Sequence, residues 1–315
     1  MTTTPTPAPT MVATPENDST TTTPRNTRFS RNRSAVPGRA GPLVKIAIIA
    51  LCLLWMLPTI GLLVTSLRTR EAAETSGWWT ALASPLDFSQ WTLANYGSVL
   101  FDRGMGNAFL NSIVVAVPAT IIPILIAAFA AYAFTFMQFR GRDALFIVIV
   151  GLLVVPIQVA FIPLLQVYGD LGLNGTFLAV WLAHAGFGMP LAVYILRNYM
   201  ASLPNAVVES AKVDGASHFT IFWRLIMPMS TPALAAFAIF QFLWTWNDLL
   251  VALIFLGSGA NEVVTVNLSQ LVGVLGQDWQ LLTAAAFISI TVPLFVFFSL
   301  QRFFVRGLTA GSVKG

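Results

Sequence analysis

Residues Glu209 to Pro232 read ESAKVDGASHFTIFWRLIMPMSTP and form a polar interruption inside a strongly apolar chain. Before and after it lie apolar runs of about 20 residues, the length that crosses a bilayer as a helix. A polar stretch between two such runs must lie outside the hydrocarbon. The reading of this segment therefore decides the layout of the rest.

Six segments have spanning length and composition: Leu43–Leu67, Ala108–Met137, Ala144–Tyr168, Thr176–Leu196, Ala233–Leu256 and Leu281–Phe304. The 315 residues are 56% hydrophobic and only 10% charged, against about 25% charged in a soluble domain. The expected fold class is thus an all-α integral membrane protein of six transmembrane helices. Proline falls within the spans at positions 58, 118, 123, 156, 163, 190 and 293, and kinks are expected there. The single Cys52 excludes an internal disulfide, and with only His184 and His218 besides, no transition-metal site is expected.

Residues 1–42 are rich in Thr, Pro, Ser and Arg and nearly devoid of large apolar side chains, which predicts a disordered tail. The tail lacks the early apolar segment of a signal peptide. Its Arg25, Arg28, Arg31, Arg33 and Arg39 either anchor the topology or touch anionic membrane lipids. Of the 17 Lys and Arg residues, only Arg68, Arg70 and Arg103 fall on the side opposite this tail. The positive-inside rule then places both termini and the Glu209–Pro232 segment in the cytoplasm. Because the basic residues lie in short segments between spans, they set orientation, and no nucleic-acid partner is expected. On the outer side, 68–107 carries Trp78, Trp79 and Trp91, suited to an interfacial belt, and 257–280 has no Lys or Arg.

Within 202–232 the spacing predicts two short helices. Ser202 or Asn205 can cap the first, with Pro204 in its first turn. Gly215 supplies a left-handed terminus, and Ser217 caps the second. Phe219, Phe222 and Ile226 then fall on one apolar face, before Pro228 and Pro232 limit continuation. Such an elbow either docks in a groove of another protein or lies on the headgroups as an amphipathic segment.

E-S-A-x-x-D-G-A followed by x-x-F-x-x-x-x-x-L-x-M-P resembles the EAA motif, E-A-A-x3-G-x9-I-x-L-P, of the membrane subunits of ABC importers, with Ser210, Leu225 and Met227 as departures. The closing QRFFVRGLTAGSVKG, with LANYGSVL, GNAFLNSIVVA and WNDLL, is similar to carbohydrate permeases of the maltose type. The resemblance covers about Leu43 to Gly315 and implies a type I importer permease over 43–306. It makes 202–232 the coupling elbow, with Glu209, Ala211, Asp214, Gly215, Phe219, Phe222 and Pro228 facing an ATPase subunit. It implies that 307–315 reaches the ATPase dimer through Gly307, Leu308, Thr309, Gly311 and Lys314. The implied partners are a second homologous permease, two ABC ATPase subunits and an extracytoplasmic solute-binding protein, in a bacterial plasma membrane. The implied cargo is an oligosaccharide or related carbohydrate; a non-sugar solute such as glycerol phosphate is the alternative.

The chain has no G-x-x-x-x-G-K-[ST], so no cofactor is expected on it, and ATP and Mg belong to the partner subunits. H-E-x-x-H and G-x-S-x-G are also absent, which argues against an enzyme. A stand-alone secondary transporter would need intramembrane ionisable relays, and Asp248 is the only acidic residue deep in a predicted span. Gln241, Trp244, Asn247 and Asp248 follow one another by steps of three and four, so they are expected on one helix face. That face either lines a translocation path or makes helix contacts and an interfacial cap. His184, beside Gly186, Gly188 and Pro190, carries the same two readings.

Overall fold

The structure, a computed structural model, describes residues 41–274 and 278–310. The tail expected over 1–42 lies outside the described residues except for its last two positions. Residues up to Cys52 and residues from Leu53 onward form two units. The described part of the first is the opening of helix α1 (Pro42–Ser66), most of whose apolar side chains are exposed, as they would be against lipid.

The second unit is helical among the described residues. It contains α2 (Met105–Phe136), α3 (Arg142–Val154), α4 (Ile157–Asp170), α5 (Phe177–Ala201), α6 (Asn205–Val213), α7 (His218–Met229), α8 (Thr231–Trp246), α9 (Leu250–Phe255), α10 (Val264–Val274) and α11 (Trp279–Ala310). Helices α1, α2, α5 and α11 are each long and apolar enough to cross a membrane. Two pairs qualify only together: α3 with α4, bent by 98°, and α7 with α8, bent by 72°.

The third expected span, Ala144–Tyr168, is therefore not a straight rod. Val155 before Pro156 is extended at ψ 121°, and Pro156 follows at ψ 122°. Proline pushes its predecessor out of the helical region, and two extended residues in succession turn the chain sharply. At 58, 118, 123, 190 and 293 proline sits inside an unbroken helix, so the kinks expected there do not become breaks. The fifth expected span, Ala233–Leu256, also breaks. Asn247 turns its amide back onto the Leu243 carbonyl at 2.7 Å, ending α8, and the Asp248 carboxylate accepts from the Ala252 N–H at 3.1 Å, starting α9. Short polar side chains compete in this way with the helical ladder.

Helices α2 and α5 share the most extensive contact. Ala127, Ala128 and Ala131 of α2 and Ala192 of α5 are buried there, and small residues let the two backbones approach closely. At one end this core continues into α6 and α7. At the other, Asn111 donates to the Ala260 and Glu262 carbonyls, and the Ser112 hydroxyl accepts from the Val264 N–H at 2.8 Å. In the same way Arg68, only 2% exposed, donates to the Ser76 carbonyl and hydroxyl and holds the segment after α1 together. Burial pulls its pKa down, yet a guanidinium stays charged.

Candidate functional sites: an elbow and a mid-helix junction

Gly215 organises the elbow. Its φ of +78° is the left-handed value at which glycine carries no Cβ penalty. The Gly215 N–H donates to the Lys212 carbonyl at 3.0 Å and the Ala216 N–H to the Ala211 carbonyl at 2.9 Å. Those two bonds make a Schellman end for α6. Ser217 then caps α7, its hydroxyl accepting from the Thr220 N–H at 3.2 Å. The expected side-chain cap on α6 is absent: Pro204 stands at that position, and Ser202 instead donates to the Tyr199 carbonyl at the end of α5.

The expected common face of Phe219, Phe222 and Ile226 is split. Phe222 and Ile226 are buried and Phe219 is 68% exposed. A π turn over Phe222–Ile226 winds more widely than an α-helix and turns Ile226 away from the face of Phe219. Ile221, Phe222 and Ile226 form the inner side and pack with Val208 on the ends of α2 and α5. The Phe222 ring stacks on Phe129 at 4.4 Å and meets Tyr132 edge-on, while the Tyr132 hydroxyl lies 2.8 Å from His218 Nδ1. Sequence reasoning missed Phe129 and Tyr132, since aromatic residues near a span end carry no distinguishing signal. The outer side presents Glu209, Lys212, Val213, Asp214, Phe219, Trp223 and Arg224, all exposed, with Ala211 half-buried. Among the described residues these charged side chains form no ion pair with one another. Pro228, exposed, lies in the last turn of α7 just before the bend at Ser230.

The second site lies where α2, α5 and α8 meet. Gln241 is fully buried, and its amide donates weakly to the Ala119 carbonyl of α2 at 3.3 Å and the His184 carbonyl of α5 at 3.4 Å. Its Oε1 has no partner, and neither ring nitrogen of the buried His184 has one. Trp244 meets the His184 ring edge-on at 5.3 Å. Gln241 and Trp244 do share a face, as expected, and border a cavity of about 170 Å³ walled by Leu152, Val155, Gly188 and Phe240. The helix ends at Trp246, so Asn247 and Asp248 lie beyond it, although Asp248 still approaches the His184 that Trp244 meets. Asp248 is instead a cap for α9, with one oxygen 3.8 Å from His184 Nε2. In the tail, residues 307–309 continue α11, whereas Gly311 and Lys314 lie outside the described residues.

Residues 123–310 match the family model described as binding-protein-dependent transport system inner membrane component. This chain belongs to that family. It is an ABC importer permease, a translocating membrane subunit rather than an enzyme, with ATP hydrolysed by a separate subunit. The permease is 60% identical, over 86% of its length and 91% of the relative's, to the osmoprotective compounds uptake permease protein GgtD of Synechocystis sp.. It is 45% identical to the alpha-glucoside transport system permease protein AglG of Rhizobium meliloti, over 89% of its length and 99% of the relative's. Against the trehalose/maltose transport system permease protein MalG of Thermococcus litoralis the identity is 34%, over 87% and 96%. A crystal structure of a bacterial ABC transporter involved in the import of the acidic polysaccharide alginate superposes with a TM-score of 0.67 at 22% identity, covering 83% of this permease and 94% of that chain. At that identity the likeness concerns the fold.

Proposed function

We propose that this permease carries an oligosaccharide or related carbohydrate inward across a bacterial plasma membrane, with both termini cytoplasmic. It works beside a second homologous permease, two ABC ATPase subunits that bind the ATP and Mg, and an extracytoplasmic solute-binding protein. The relatives named for alpha-glucoside and trehalose/maltose transport support the cargo.

The observation that carries the mechanism is the two-sided elbow. Its inner side is clamped to α2 and α5 by Phe222, Ile226 and Val208, and its outer side leaves Val213 and Phe219 exposed beside unpaired charges. That outer side suits a cleft on an ATPase subunit, with Glu209, Lys212, Asp214 and Arg224 setting register. Closure of the ATPase dimer would push the elbow, and through it α2 and α5, as a largely rigid body. Gly307, Leu308, Thr309, Gly311 and Lys314 would extend the same contact. The cavity beside Gln241 and Trp244, with His184 behind it, is the part of the translocation path that this chain contributes.

Uptake of a labelled panel (maltose, trehalose, sucrose, methyl α-glucoside) by cells with and without this chain tests the cargo. Uptake of at least one that depends on the chain is the expected result; chain-independent uptake of all four would overturn it. Deleting Leu308–Gly315 should weaken retention of the ATPase subunits, and an indifferent complex would remove the tail from the interface. A second reading, a small osmoprotective solute, is favoured by the 60% identical relative of that name. Uptake that rises with external salt would single it out.

A further inference from the structure

Helix α5 carries two glycines one above the other in sequence, Gly186 and Gly188, and they stand in opposite surroundings. An ideal Cβ built on Gly186 meets nothing within 4 Å. One built on Gly188 would lie 2.5 Å from Gln241 Oε1 and 2.9 Å from its Cδ and Nε2. Real Cβ contacts are essentially never under 3.0 Å, so only glycine lets the Gln241 amide sit where it does. That amide is fully buried between the Ala119 and His184 carbonyls, and the free space beside it is the cavity of about 170 Å³. A side chain on 188 would therefore make the Gln241 amide, the end of a flexible side chain, shift, and the cavity is the free space beside it.

The chemistry of the cavity is restrictive. Its wall is mostly apolar, from Leu152, Val155, Ile157 and Phe240, with the half-buried Trp244 indole and the Gln241 amide as its polar features. Pockets that bury a drug-sized ligand run to roughly 300–1,000 Å³, so this smaller space, open beside the exposed Leu152, Val155 and Phe240, has room for one small ring. Such a ring needs an apolar C–H face for the half-buried indole, which a pyranose unit has, while Gln241 Oε1 stays buried behind it without a partner.

We propose that Gly188 is a specificity-determining residue of this permease: by leaving room for the Gln241 amide between α5 and α8, it sets the size of the ring that the path accepts. The proposal rests on the reading of the Gln241 and Trp244 cavity as part of the path. Gly188 itself touches no solute and acts by positioning Gln241.

The test uses the complete complex, with its ATPase and binding subunits, in proteoliposomes. KM and Vmax are measured for maltose, trehalose, sucrose, methyl α-glucoside and glycerol with the wild type, Gly188→Ala, Gly186→Ala and the double variant Gly188→Ala with Gln241→Asn. For each transported pyranoside, Gly188→Ala should raise KM at least ten-fold with Vmax little changed. Gly186→Ala should match the wild type. The double variant, whose shorter amide clears the added Cβ, should recover most of the loss. Equal KM in Gly188→Ala and wild type, or a uniform fall in Vmax with KM unmoved, would overturn the proposal and leave Gly188 a packing residue.

Trp244→Ala separates the two readings. If it raises KM while Gly188→Ala does not, the path stands and the glycine's role falls; if neither moves KM, the path assignment falls with it. Should Gly188→Ala not assemble, Gln241→Ala, which enlarges the cavity from the other side, must broaden the range of transported solutes. An unchanged range then overturns the proposal.

Discussion

The elbow around Gly215 and the junction around Gln241 are both polar features of an apolar chain, and they are built in opposite ways. The elbow is assembled from neighbours in sequence: a Schellman end at Gly215, a cap at Ser217 and a π turn immediately after. The junction is assembled across long separations, with Gln241 reaching Ala119 and His184 on two other helices. In the elbow the helix ends at Gly215 and Ser217 are satisfied, and the Ser230 hydroxyl is its one buried side-chain group without a partner among the described residues. In the junction Gln241 Oε1, both His184 nitrogens and the Thr245 hydroxyl are buried without partners. Unpaired buried groups cost about 1–3 kcal/mol each, so they mark a place where stability is not the purpose. The difference separates a part shaped to transmit force from a part with hydrogen-bonding capacity in reserve.

The sharpest way to break this contrast is Phe222→Ala. If the elbow moves with α2 and α5 because of its buried ring, removing that ring from Phe129 and Tyr132 should cost about 3–5 kcal/mol, read as a lower thermal midpoint of the purified permease. An unchanged midpoint would mean that the local caps suffice. Gly215→Val tests the caps alone. Nothing lies within 4 Å of a Cβ there, so the cost is only the left-handed backbone, about 1–2 kcal/mol. ATP hydrolysis should persist while uptake collapses, and unimpaired uptake would sink the coupling assignment.

Asp248→Ala should cost about 1 kcal/mol, the usual value of a lost cap, with the KM for solute unmoved. A changed KM would return the carboxylate to the path. Smallest in stability is Phe219→Ala, at most about 0.5 kcal/mol because the ring is exposed. Its effect should appear instead as weaker retention of the ATPase subunits during purification. Full retention would remove Phe219 from the docking side.

Much of the elbow was legible in sequence because glycine, serine and proline act on their own backbones. The bend at Gly215 and the Ser217 cap required no knowledge of other helices. The face of Phe219, Phe222 and Ile226 was not legible, since the π turn leaves no residue signature and the burial of Phe222 depends on Phe129 and Tyr132 of another helix. The spans were legible as apolar runs, while their continuity was not. Pro156 breaks its helix by 98° and Pro58, Pro118, Pro123, Pro190 and Pro293 do not, because neighbouring backbone and packing decide whether the freed groups are accommodated. Asn247 and Asp248 were placed on a helix face by spacing, but the Asn247 side chain ends that helix and the Asp248 side chain starts the next.

By itself the sequence determined that this chain is helical and membrane-embedded and that its polar elbow turns at Gly215. These follow from hydropathy, charge count and backbone preference, which are properties of residues and their near neighbours. Only the tertiary structure decided that the elbow has a buried and an exposed side and that Gly188 makes room for Gln241. Those follow from which helices lie side by side, and packing between residues dozens of positions apart leaves no periodic trace in the sequence.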